Sequence, residues 1–106
     1  PHSRARAFDV APRVLFDNKA SNKFTVIEVN ARDRSALLNR LARALFESQL
    51  VVHSAHVTNY GERAADTFYV TDLTGGKLQP GDRMNRIEAR LMEAASDATQ
   101  DRLENA

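Results

Sequence analysis

The chain has 106 residues, 42% of them apolar and 27% charged, which suits one globular domain with its own core and excludes a wholly disordered chain. Fifteen Lys and Arg against fourteen Asp and Glu leave a net charge of +1, so charge gives no reason to expect a nucleic-acid partner. There is no Cys, which excludes disulfides, thiol catalysis and Cys-ligated zinc.

The opening "PHSRARA", residues 1–7, is polar and basic and reads as a tail or linker end. It lacks the apolar stretch of a signal peptide, and no apolar run nears the length of a membrane span. A cytoplasmic protein with no membrane partner is expected. No initiating Met is present, so the chain reads as a piece of something larger.

"PRVLFDN" has a short apolar centre and then an Asp-Asn turn signal. It predicts a strand over Arg13 to Phe16, with Pro12 suiting an edge position. "KASN" makes a loop, and Lys23 to Asn30, rich in Val, Ile, Thr and Phe, is the second strand. The short connection predicts an antiparallel hairpin.

Ser35 to Ser48 is a predicted helix. Leu37, Leu38, Leu41, Ala44 and Leu45 recur at three- and four-residue steps, one apolar stripe. Either Asp33 or Ser35 can cap its first free amides.

Leu50 to Tyr60 and Ala64 to Leu73 are the next strands, joined at "YGER", where Gly61 can take a positive φ. "TGGKLQPGD" is a loop. Asp72 and Asp82 bracket it as turn and cap residues. A last helix carries Met84, Ile87, Leu91, Ala94 and Ala95 on one stripe. It is expected to reach about residue 98 and to fray over 99–106.

The order β-β-α-β-β-α predicts a two-layer α+β sandwich, a four-stranded antiparallel sheet with both helices on one face. A ferredoxin-like sandwich normally runs βαββαβ. Here the final strand is missing, and Arg13 to Phe16 can take the same edge slot. The result is a permuted ββαββα sheet.

No Gly-rich phosphate loop, nucleophile elbow or metal spacing occurs. His53 and His56, three apart on a strand, are expected to point to opposite faces and so to share no metal. Glu62 and Asp66 flank a hairpin and read as turn chemistry and surface charge. No acid/base pair stands out, so the fragment is expected to be non-catalytic. The helix-free sheet face keeps apolar residues, which usually mark a partner or self-association surface. RNA binding is disfavoured, since "DTFYVTDL" does not match the aromatic RNA signature.

The turn at Asn30 to Ala36 is the best candidate site. A helix N-terminus presents free N–H groups and partial positive charge. Arg32 and Arg34 would reinforce that field, and Asp33 could accept from an ammonium group. These are the parts for a small zwitterion. The alternative is a capped helix with solvated arginines.

"TVIEVNARDRSALLNRLARAL", followed by "SAHVTNYGERAADTFYVTDLTGGKL", resembles an ACT domain, the small-molecule sensing module of amino-acid metabolism. With "PRVLFDN" and "YGERAADTFYVTDL" the pattern is similar to the C-terminal ACT domain of PII uridylyltransferase/uridylyl-removing enzymes. The likeness runs from about Phe8 to Met92, and the domain is placed at residues 8–98. It implies a ferredoxin-like ACT sandwich that senses glutamine, and a parent enzyme that adds UMP to the signalling protein PII and removes it. It implies no cofactor in this fragment, although the parent would need Mg²⁺. It also implies pairing with a neighbouring ACT domain or a second copy.

The implied ligand site is the strand end Ala31, Arg32, Asp33 and Arg34, the helix start Ser35, Ala36, Leu37 and Leu38, and Val51 on the next strand. The family loop usually reads Asp-Arg-Pro-Gly, where this chain has Asp33-Arg34-Ser35-Ala36, and Val51 stands where a polar Asn or Asp is usual. A domain used only for pairing, without ligand, is the alternative.

Overall fold

The computed structural model describes residues 11–33 and 35–96. The elements are β1 (Arg13–Asp17), β2 (Thr25–Arg32), α1 (Leu37–Glu47), β3 (Leu50–Tyr60), β4 (Arg63–Asp72) and α2 (Asp82–Ser96). The strands form one antiparallel sheet in the order β1-β2-β4-β3. The expected ββαββα order holds, with β1 in the edge slot beside β2. The tail over 1–7 and the fraying end over 99–106 lie outside the described residues.

Several boundaries move by one or two residues, and the starts of the second strand and the first helix do so for local reasons. The expected second strand begins at Lys23, but β2 begins at Thr25. The Ser21 hydroxyl accepts the N–H groups of Lys23 (3.2 Å) and Phe24 (3.1 Å), a turn that withholds both amides from the ladder. Asp17 carries the other side of this loop, its carboxylate accepting the amides of Lys19 (2.7 Å) and Ala20 (3.1 Å). The first helix begins at Leu37 and not at Ser35, because the backbone turns left-handed at Ala36.

Strand alternation builds the core. Thr25, Ile27, Val29 and Ala31 of β2, with Ala64, Asp66, Phe68 and Val70 of β4, are all buried. Ile27 pairs with Phe68 at the centre. Successive strand residues alternate faces, so these eight share one face, and Val14 of β1 joins them opposite Val29. Leu37, Leu41, Ala44 and Leu45 of α1 and Ile87, Leu91 and Ala95 of α2 belong to the same apolar cluster. Both helices therefore cover one face of the sheet. Leu38, expected in the helix stripe, is 42% exposed.

The end of the core is closed by polar contacts. The hydroxyl of buried Thr25 donates to Asn18 Oδ1 (2.5 Å) and accepts the amide of Leu78 (2.9 Å). Asn18 Nδ2 donates to the Leu78 carbonyl (2.7 Å). Lys77 donates through Nζ to the carbonyls of Asn18 (2.7 Å) and Ser21. The β1–β2 loop is thus tied to the segment before α2. That segment is shaped by Asp72, whose carboxylate accepts from the Thr74 hydroxyl (2.6 Å) and the amides of Thr74 and Gly76 (2.8 and 2.9 Å). Asp72 is a turn residue as expected. Asp82 is the first residue of α2, where a carboxylate faces the positive end of the helix.

Thr25→Val removes the donor to Asn18 and the acceptor for Leu78 at nearly constant volume. Urea unfolding is expected to show a loss of about 1–3 kcal/mol, the usual cost of leaving buried polar groups unpaired, with an unchanged m-value.

Candidate functional site

The β2–α1 turn is held from its start. The Asp33 amide donates to the Glu62 carbonyl (2.6 Å), which extends the β2–β4 pairing past Arg32. Gly61, in the facing β3–β4 turn, takes φ 61°. Arg32 reaches across the same strands, with Nη2 3.3 Å from Glu62 Oε1.

The helix then starts without a side-chain cap. Ala36 is the N-cap residue, at φ 68° and ψ 5°, and no side chain bonds the first amides. The expected capping by Asp33 or Ser35 does not occur. The left-handed turn at Ala36 replaces the extended backbone that a capping side chain needs. Arg40 N donates to the Ala36 carbonyl (2.9 Å) as the first helical bond. The amides before it have no partner within the helix. The positive end of the α1 dipole is left at this turn. At the other end of α1, Arg83 Nη2 donates to the carbonyls of Ser48 (3.2 Å) and Gln49 (3.3 Å), which offsets the negative end.

A cavity of about 280 Å³ opens at the α1 N-terminus. Asp33, Ala36, Leu37, Leu38 and Asn39 line it from the turn and helix. Val57 and Asn59 of β3 and Asp66 of β4 line it from the sheet. It lies at the small end of ligand cavities, which begin near ~300 Å³. A wider groove of about 950 Å³ runs between the helices, with Arg43, Arg90, Glu47 and Glu93 among its charged walls.

Asp66 is the unusual member. It is 2% exposed, and its Oδ1 has no hydrogen-bond partner. Its neighbours across the strands are Val29 of β2 and Val57 of β3, which offer no side-chain donor. Burial pushes its carboxyl above the usual carboxylate range, and the charge of Asp33 pushes it further the same way. The expectation of turn chemistry and surface charge is therefore wrong for Asp66. The inward alternation of Ala64, Asp66, Phe68 and Val70 was the signal that could have found it.

The helix-free face corrects a second expectation. The β3–β4 register shifts between Val52 and Ser54, a bulge that inserts one residue and reverses the alternation. His53 and His56 consequently share one face. The His53 ring lies 4.7 Å from Phe24, Phe24 lies 6.2 Å from Tyr69, and Tyr69 lies 5.6 Å from His56, centroid to centroid. His53 Nε2 is also 2.9 Å from the Thr71 hydroxyl. No group of three or more His, Asp or Glu that could hold a metal occurs among the described residues.

Of the residues expected at the ligand site, the cavity brings together Asp33, Ala36, Leu37 and Leu38. Ala31 is buried in the core, Arg32 engages Glu62, and Ser35 is exposed beside the turn. Arg34 lies outside the described residues. Val51 pairs with Thr71, six positions from Val57 along β3, about 20 Å at strand spacing. Within one chain it does not meet the cavity. Asn39, Val57, Asn59 and Asp66 are the lining residues that the sequence reading missed.

The bifunctional uridylyltransferase/uridylyl-removing enzyme of Erythrobacter litoralis is 70% identical over 104 residues, which is 98% of this chain and 11% of the relative. The enzyme of the same name from Novosphingobium aromaticivorans is 70% identical over 94 residues, 89% of this chain and 10% of the relative. That from Azospirillum brasilense is 50% identical over 98 residues, 92% and 10%. This chain is a homologue of one tenth of a uridylyltransferase/uridylyl-removing enzyme. It spans about that share of the length of the curated relatives it matches. No protein-family model matches. A crystal structure of an unknown protein from Galdieria sulphuraria has a related fold, with a TM-score of 0.52 and 22% identity over 65% of this chain and 36% of that one. No helix among the described residues is long and apolar enough to cross a membrane.

Two substitutions test this geometry in the uridylyltransferase homologue. A left-handed alanine costs about 1–2 kcal/mol, so Ala36→Gly is expected to raise unfolding free energy by about 0.5–1 kcal/mol after the added chain entropy of glycine. Chemical denaturation measures it.

Asp66→Asn tests the buried acid. A carboxyl whose pKa is higher folded than unfolded loses stability as pH rises from about 4, its unfolded value, through the folded one. Asp72 gives the opposite slope, since its bonds from Thr74 and Gly76 hold it below the usual range. The difference between variant and wild type isolates Asp66. The variant is expected to be more stable at pH 7 by on the order of 1 kcal/mol, the gap closing below pH ~3. Thermal melts across pH read it.

Proposed function

We propose that this chain is the non-catalytic C-terminal ACT domain of a bifunctional uridylyltransferase/uridylyl-removing enzyme, and that it senses glutamine. In this reading glutamine binds at the β2–α1 turn, with its carboxylate on the free amides of α1. Binding would shift domain pairing and so bias the addition and removal of UMP on PII at catalytic sites elsewhere in the enzyme, where Mg²⁺ would act. The setting would be cytoplasmic. The observation that carries the reading is the cavity at the uncapped α1 N-terminus, lined by Asp33, Ala36, Leu37 and Leu38. It supplies anion-binding amides and a carboxylate within one small space. Homology to a tenth of these enzymes supplies the context.

A second reading, a domain used only for pairing, has its own support. β3 is an 11-residue edge strand. Its outer backbone groups are left for another strand to pair. Val51, Val52, Val57 and Tyr60 along it are all exposed.

Isothermal titration calorimetry of the chain with L-glutamine separates the two. Selective, saturable binding over L-asparagine and L-glutamate is expected for the sensor. Binding by neither this chain nor one holding the adjacent domain would leave the pairing role.

A further inference from the structure

We infer that the Asp66 carboxylate is the counter-ion for a ligand's primary ammonium group, which the cavity at the α1 N-terminus admits between Asp66 and Asp33. Three observations carry this. First, Asp66 is 2% exposed and lines the cavity with an oxygen that has no protein partner. A buried carboxylate without a donor is costly, and here its strand neighbours are two valines. Second, a second carboxylate, Asp33, lines the same space. The other described lining residues are Ala36, Leu37, Leu38, Asn39, Val57 and Asn59, none of them titratable. The cavity therefore gathers two acids and no cation among its described walls. Third, the start of α1, which no side chain caps, borders the same cavity, and a helix N-terminus favours an anion.

Two acids and a helix N-terminus bordering one small cavity match a ligand that carries ammonium and carboxylate on one carbon. An ammonium ion offers three donors, enough for Asp66 Oδ1, Asp33 and the Asn59 side chain. A divalent metal fits less well, since no group of three or more His, Asp or Glu that could hold one occurs among the described residues and a cation would leave the helix N-terminus without an anion. The burial that disfavours Asp66 ionisation in the empty cavity would be relieved by the arriving charge. Ligand binding would then lower the Asp66 pKa and release protons. The inference deepens the glutamine reading and rests on it only for the identity of the ligand.

Carboxyl-carbon NMR of the 106-residue chain tests it, with the Asp66 signal assigned through Asp66→Asn and folding of that variant checked by circular dichroism. The pH midpoint of Asp66 is followed with methylammonium chloride, L-glutamine, its deamino analogue 4-carbamoylbutanoate, sodium chloride and magnesium chloride at matched ionic strength. The expected result is a lower midpoint with methylammonium and with L-glutamine but not with the other three. A tenfold or greater loss of L-glutamine affinity in Asp66→Asn is expected with it. Movement with methylammonium alone would uphold the ammonium site and remove glutamine as its ligand. Glutamine binding that leaves Asp66 unmoved and survives Asp66→Asn would overturn this inference while keeping the sensor reading. No response to either amine, or an equal response to sodium or magnesium, would also overturn it.

Discussion

The inward faces of β2 and β4 are the constraint on which the remaining structure depends. Ile27 and Phe68 sit opposite one another, nearly without solvent contact, beneath both helices. Every second residue of these two central strands must be accommodated there. A slip of one position would exchange the buried set for Glu28, Asn30, Thr67 and Tyr69. The register is fixed by that penalty. It in turn fixes where β2 ends, how the Asp33 amide meets Glu62, and where α1 begins.

The ends of the sandwich are treated differently. At one end Asn18, Thr25 and Leu78 satisfy each other, and Lys77 closes two carbonyls. At the other, polar needs are left open. Ala36 occupies a conformation that favours glycine, α1 lacks a side-chain cap, and Asp66 is buried with an unpaired oxygen. Each feature lowers stability, and they meet around one cavity. The proposed binding site rests on this gathering of local departures from good folding practice.

Much of the fold was legible in the sequence. Val, Ile and Phe at alternate positions marked the strands, and Leu37, Leu41, Ala44 and Leu45 marked α1, because burial imposes periods of two and 3.6 residues. The permuted edge strand followed from the missing final strand. The turn itself was legible as a helix start, but its chemistry was only half legible. Asp33 and Leu38 are close to the turn in sequence, whereas Val57, Asn59 and Asp66 reach it only through sheet register. Ala36 stands where the family loop usually has Gly, and its φ is positive, the region that favours glycine. Capping by Asp33 or Ser35 failed because propensity does not reveal a left-handed N-cap residue. The histidines were misplaced because no residue type announces a bulge.

That bulge bears on how such a strand can change over generations. A point substitution in β3 alters one side chain and leaves its neighbours facing as before. Loss of the single codon for His53 would do little more. Val52 opposite Val70 would be followed directly by Ser54 opposite Tyr69, one unbroken ladder. Leu50 would stay in the core, and Val57 and Asn59 would stay at the cavity wall. Only the His53 ring would go, from beside Phe24 and the Thr71 hydroxyl. The extra residue is thus a local insertion, which adds a side chain to the helix-free face without readdressing the rest of the strand.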